Sequence, residues 1–295
     1  MKIPGKFQSI VKNAIRKVLS RRSDIMAIIV IGSVAKGDYA DDSDVDIVCI
    51  TEEKLDRKER FELMQSVPER VQLVPLFKEE LDKHFQNATT MAHSIQKGIA
   101  VYEKDGFLEP YLEISLDLPS TAWMKDWFVH WLKFYYMGLL DLESGKQFHE
   151  RFCSEESHCL ISDNLARAAV NFAILYLEAN GTVPVSKGEI REGIKGWVVG
   201  DIMGGLQTAL QACHEDRGLV YDEARDIEKT ATWLKDWLIE ALCLSDKEME
   251  KPLKVYEMLK ADRGESAHTQ ESPVQGGESN VGRWGRRKMG TLFQC

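Results

Sequence analysis

Between Ile28 and Ile50 the chain reads IIVIGSVAKGDYADDSDVDIVCI, and this stretch restricts the fold more than any other. Ile28-Ile29-Val30-Ile31 is apolar, β-branched and too short for a helix, the pattern of a buried strand. Gly32-Ser33 interrupts it, and a second strand is predicted over 45–50, with Asp44 and Asp46 at its mouth. Residues two apart on a strand share a face, their Cα atoms roughly 6.5–7 Å apart. Two carboxylates held in that way repel each other unless a cation lies between them. An open site with oxygen ligands suits Mg2+, which keeps several waters and is completed by substrate phosphates. Gly32 lets a phosphate approach the backbone. Ser33 adds a hydroxyl and, where a helix begins, N–H groups suited to an anion. A plainer reading makes Asp41, Asp42, Asp44 and Asp46 a solvated acidic loop, but it does not explain why two apolar strands break off at these points.

Gly32-Ser33, ten intervening residues and then Asp44-Val45-Asp46 resemble the signature of the nucleotidyltransferase superfamily related to DNA polymerase β. Gly37 and Ser43 stand where the minimal members of that superfamily often carry them. The resemblance implies that Gly32 and Ser33 bind the triphosphate of ATP or another nucleoside triphosphate, and that Asp44 and Asp46 are the catalytic pair holding Mg2+. It further implies transfer of a nucleoside monophosphate, AMP in the first instance, to a hydroxyl of a protein or small molecule. Relatives begin their third strand with an aspartate that completes the metal site and activates the attacking hydroxyl. Here the strand reads Val71-Gln72-Leu73-Val74. Glutamine is neutral and cannot take a proton from a nucleophile. Two readings follow: an enzyme working with fewer carboxylates, or a catalytically weakened nucleotide-binding regulatory or antitoxin-like module.

The chain has 295 residues and a net charge of −9, from 38 basic and 47 acidic side chains. Such an acidic chain is a poor non-specific binder of nucleic acid, so nucleic acid is not expected as its partner. The six cysteines show no zinc spacing, and reduced thiols in a cytoplasmic setting are the simplest reading. No signal-peptide core opens the sequence, and no window approaches the ~20 apolar residues of a membrane span, so no membrane partner is expected.

The fold class read from this pattern is α+β: a mixed sheet with flanking helices over 1–110, an all-α bundle over 120–260 and a disordered tail over 262–295. Apolar spacing from Phe7 to Leu19 predicts a helix with a basic outer face. Helices are predicted over 52–65 and 78–96, and strands over 71–76 and 98–102. Pro75 makes the far end of the first of these strands a poor ladder donor, so that strand is short or at an edge. In the bundle, Trp123, Trp127 and Trp131 recur every four residues, the spacing of a core-facing stripe. Asn180-Gly181 stops the helix predicted over 161–179. The bundle resembles the helical domains that accompany minimal nucleotidyltransferases, including the HEPN type, and the helical half of aminoglycoside adenylyltransferases. Any oligomer is expected to form through it. Arg151 and His158 loosely meet the Arg-His pattern of HEPN ribonucleases, although a surface loop accounts for them better. The tail is rich in Gly, Ser, Glu and Gln, and its Arg283-Trp284-Gly285-Arg286-Arg287-Lys288 cluster reads first as a solvated segment.

Overall fold

A computed structural model of the chain describes residues 3–41, 43–152, 161–195 and 200–268. The N-terminal elements run α1 (Gly5–Arg21), β1 (Ile25–Ile31), α2 (Gly32–Lys36), β2 (Val45–Thr51), α3 (Arg57–Ser66), β3 (Val71–Phe77), α4 (Lys78–Gln86), α5 (Thr90–Gln96), β4 (Ile99–Glu103) and α6 (Glu109–Leu112). The strands form one mixed sheet in the order β3-β2-β1-β4. β1 is antiparallel to both β2 and β4, whereas β2 and β3 are parallel. β3 lies at the edge, where the missing N–H of Pro75 is tolerated.

β1 and β2 read as unbroken apolar runs because both faces of the sheet are covered. Ile28, Val30, Ile47 and Cys49 pack with Phe7, Val11, Ala14 and Val18 of α1 and with Leu63 of α3. Ile29, Ile31, Val48 and Ile50 pack with Leu81 and Phe85 of α4 and with Met91 and Ile95 of α5. One side chain in two therefore serves each helical layer.

Two helices depart from the sequence expectation. The first, expected from Glu52, starts at Arg57, where Asp56 and Glu59 form a reciprocal capping box. The Glu59 N–H donates to Asp56 Oδ1 at 2.8 Å, and the Asp56 N–H donates to Glu59 Oε2 at 2.9 Å. The second, expected as one helix over 78–96, is two. Ala88 takes φ 47°, and the Thr89 hydroxyl caps α5 while also bonding His84 Nδ1 at 2.9 Å. A threonine that caps the backbone competes with helix continuation.

The later elements are α7 (Thr121–Phe152), α8 (Asn164–Ala179), α9 (Lys187–Lys195), α10 (Gly200–Glu215), α11 (Tyr221–Ala241) and α12 (Asp246–His268). Two compact units emerge. The first joins the N-terminal 124 residues to Ala173–Val198, and the second gathers Lys125–Phe172 and, among the described residues that follow, 200–268. α8 thus contributes its second half to the sheet-containing unit. It stops as expected, with Gly181 at φ 87° and the Thr182 N–H donating to the Leu177 carbonyl at 2.9 Å.

In the second unit the buried face of α7 passes through Phe128, Leu132 and Tyr135, with Trp131 beside it. Phe128 stacks on Phe172 with ring centroids 5.2 Å apart. The core stripe is therefore rotated slightly from the tryptophan register. Trp127 stands at its flank, stacked on His130. α10 and α11 close this core with Leu206, Leu210, Ile227, Leu234 and Leu238. α12 continues to His268, further than the composition from 262 suggested, and 269–295 with the Arg283–Lys288 cluster lie outside the described residues. The Arg151–His158 pair also falls outside what the structure describes in side-chain detail.

Candidate active site

The chain leaves β1 at Ile31 in an extended conformation, and Gly32 turns it into α2 at φ 68°. That left-handed backbone favours glycine, and a second constraint acts at the same residue. A Cβ on Gly32 would sit 2.5 Å from Asp46 Oδ2. The Asp46 carboxylate therefore lies against the bare Cα of the turn. Sheet register brings this about: Ile31 pairs with Asp46 across β1 and β2, and Asp46 pairs with Gln72 across β2 and β3.

Asp44 precedes β2 by one residue and shares parity with Asp46. Gln72 Nε2 donates to Asp44 Oδ2 at 3.3 Å. Gln72 thus binds one member of the acidic pair. Burial pushes the Asp46 carboxyl up to about 6. The Lys187 charge acts to lower it, and the Asp44 charge acts to raise it. Ser33 sits in the first turn of α2, partly exposed, where backbone N–H groups have no intrahelical acceptor.

The acidic loop divides. Asp41 is exposed and paired with Lys6 Nζ at 2.6 Å, as a solvated loop residue would be, and Asp42 lies outside the described residues. Ser43 is buried, and its hydroxyl accepts from the Ala40 N–H at 2.8 Å. Arg70 Nη2 donates to the Ser43 and Asp41 carbonyls at 2.9 and 3.0 Å, which ties the loop to the start of β3. Asp44 and Asp46 are turned inward from this frame and are only partly exposed.

Lys187 lies in a segment, 184–187, that carries no site motif in the sequence. It opens α9, whose start is bolted to the segment following α2. Ser186 Oγ donates to Asp38 Oδ2 at 2.6 Å, and Lys36 pairs with Glu189. Glu189 also accepts from the Val185 N–H at 2.6 Å, while its own N–H donates to Ser186 Oγ at 3.2 Å. These contacts fix the first turn of α9, so the Lys187 charge is felt at Asp46 from more than 130 residues away in sequence. The only local hint was Pro184-Val-Ser-Lys-Gly-Glu, a plausible helix start without an address.

Among the described residues no three His, Cys, Asp or Glu side chains come together to hold a metal. The arrangement is two carboxylates and one amide. An acid whose proton affinity is raised by burial and by the charge of a neighbouring carboxylate fits a divalent cation between the two, provided phosphate and water complete its shell. Asp44 and Asp46 would hold such a Mg2+, which would offset the charge of a bound triphosphate.

Residues 13–107 match the family model described as polymerase beta, nucleotidyltransferase, over about a third of the chain. This is a partial match to that superfamily's fold. No curated protein matches the chain. Among solved structures, the chain is similar to a spectinomycin adenyltransferase from Enterococcus faecialis solved with ATP and spectinomycin. That likeness has 11% identity and a TM-score of 0.44, covering 81% of this chain and 99% of the other. It is also similar to a nucleotidyltransferase-like protein from Exiguobacterium sibiricum, with 14% identity and a TM-score of 0.34, covering 78% of this chain and 76% of the other. A toxin–antitoxin structure with AMP-PNP shows 21% identity and a TM-score of 0.27, over 34% of this chain and 80% of that one. At these values none of the three bears on what this chain does.

Proposed function

We propose that the chain is a Mg2+-dependent nucleotidyltransferase that moves AMP from ATP onto a hydroxyl of a protein or small molecule. The observation that carries this reading is the seating of the Asp46 carboxylate on Gly32, with Asp44 held beside it by Gln72. In this reading Gly32 and Ser33 receive the triphosphate and Asp44 and Asp46 bind the metal. The metal supplies charge neutralisation for the phosphate oxygens in the transition state. Lys187 adds a fixed positive charge on the same side, so phosphate charge would meet a preorganised counter-charge. The acceptor hydroxyl oxygen forms a bond to the α-phosphorus and its proton passes to solvent water, while the bond from that phosphorus to the bridging oxygen breaks and pyrophosphate leaves with the electron pair. Gln72 holds Asp44 by donating an N–H and does not receive the acceptor's proton.

A second reading has its own support in that same bond. With an amide donating into Asp44, the site retains nucleotide while chemistry is weakened, giving a regulatory or antitoxin-like module. Free thiols at Cys49, Cys213 and Cys243 accord with a cytoplasmic setting for either reading, and no helix among the described residues is long and apolar enough to cross a membrane.

The test is incubation of the protein with α-labelled ATP and Mg2+, alone and with cell extract. Transfer of label that disappears in Asp44→Asn supports the enzyme. Mg2+-dependent ATP binding without transfer supports the regulatory module. Absence of Mg2+-dependent ATP binding overturns both.

A further inference from the structure

A pocket of about 520 Å3 opens in the sheet-containing unit, outside the residues assigned above. Its volume falls in the range of small-molecule sites. One wall is apolar, made by Leu116, Leu118 and Val183. Leu118 is 47% exposed, an apolar surface turned to solvent. The polar side chains are His93, Lys97 and Asp117, and Gly181 leaves the rim open.

The charges restrict what fits. Lys97 follows α5 and forms no ion pair with a carboxylate among the described residues, while its neighbour Lys36 is neutralised by Glu189. Desolvation and the Lys36 charge pull Lys97 below the ordinary lysine range, so an arriving anion would relieve an unfavourable situation. His93 donates from Nε2 to the Asp117 carbonyl at 2.9 Å, and burial favours its neutral form, so it adds no second cation. The Asp117 carboxylate stands against any ligand with several negative charges. One available cation and one carboxylate fit a monoanion and disfavour a triphosphate.

We infer that this pocket binds a small amphipathic monoanion, its apolar body against Leu116, Leu118 and Val183 and its single carboxylate or sulfonate on Lys97. Neither Asp44 nor Asp46 lines the pocket, so its occupancy does not require nucleotide transfer.

The probe is 8-anilinonaphthalene-1-sulfonate, one sulfonate on an aromatic body, titrated into the full chain by fluorescence and calorimetry. Saturable one-to-one binding is expected. Lys97→Met should weaken it by about tenfold, the value of a charge-assisted hydrogen bond, while Lys97→Arg should hold it within about threefold. Asp117→Asn should tighten it, and Asp44→Asn should leave it unchanged. Hydrogen exchange should slow on binding over 93–97, 116–118 and 181–183. The proposal is overturned if Lys97→Met binds the probe as the wild type does, or if uncharged N-phenyl-1-naphthylamine binds equally well. Protection elsewhere in the chain, or loss of binding in Asp44→Asn, also overturns it. Because the readout is binding, failure here leaves the nucleotidyltransferase reading standing, and failure of that reading leaves this one.

Discussion

Asp46 and Glu178 belong to the same compact unit, and burial raises the proton affinity of both, to about 6 and about 7. They differ in company. Asp46 stands at a strand mouth against Gly32, with the charges of Asp44 and Lys187 acting on it. Glu178 is 2% exposed on α8 and receives one hydroxyl hydrogen bond, from Thr90 of α5. Nearby, Ser94 Oγ is buried with no partner, a sign of how little polar surface this interior offers. Equal desolvation thus gives two outcomes. A raised pKa at an open, charge-lined edge marks a candidate site, whereas inside a helix contact it marks a cost to stability.

The largest effect is expected at the open edge. Asp44→Asn and Asp46→Asn should each lower label transfer by about a hundred- to a thousandfold while leaving the thermal midpoint near wild type, since removing a transition-state charge contact costs about 3–4 kcal/mol. If both variants transfer label normally, the contrast between the two carboxylates loses its functional half.

Glu178 comes next, and its sign is opposite to that of a salt-bridged acid. Its folded pKa of about 7 lies above the ordinary 4.5, so its contribution to stability is fully present below about pH 4.5 and is lost as pH rises through 7. The wild type should lose about 3 kcal/mol between pH 4.5 and 8 on this account. In Glu178→Gln that slope should vanish from urea melts taken across the range. An unchanged slope would show that Glu178 is not the buried acid in question.

Lys187→Met should raise the apparent KM for Mg-ATP about tenfold, roughly 1.4 kcal/mol of lost phosphate attraction. It should also move the pH dependence of Mg2+ binding upward, because the lysine charge holds Asp46 down. In the wild type, Mg2+ affinity should fall as pH drops through about 6. A midpoint that stays put in Lys187→Met would remove this lysine from the site.

The smallest change is expected from Gln72→Asp. It restores a third carboxylate and frees Asp44 from its amide donor, so Mg2+ affinity should rise by about three- to tenfold, with transfer rising if proton removal was limiting. No gain in metal affinity would mean that position 72 does not face the cation.

Much of the sheet was legible in sequence because its signals are local. β-branched runs between polar breaks, a proline tolerated only at an edge and a Gly-Ser turn ahead of paired aspartates each depend on a few neighbouring residues. Parity along a strand was enough to put Asp44 and Asp46 on one side, and the parallel register of β2 and β3 is what adds Gln72. The α4–α5 break is also local, a threonine capping the helix that follows it, although periodicity alone ran through it. Two features needed the folded chain: Lys187 acts on Asp46 with α9 anchored by Asp38 and Lys36, and Glu178 becomes a buried acid only when α5 packs against it. Side-chain periodicity is written into the backbone geometry of each element. The electric field and dielectric around a charge are set by whatever packs beside it, and the contacts that Thr90 makes with Glu178 and Ser186 with Asp38 join residues 88 and 148 apart in the chain.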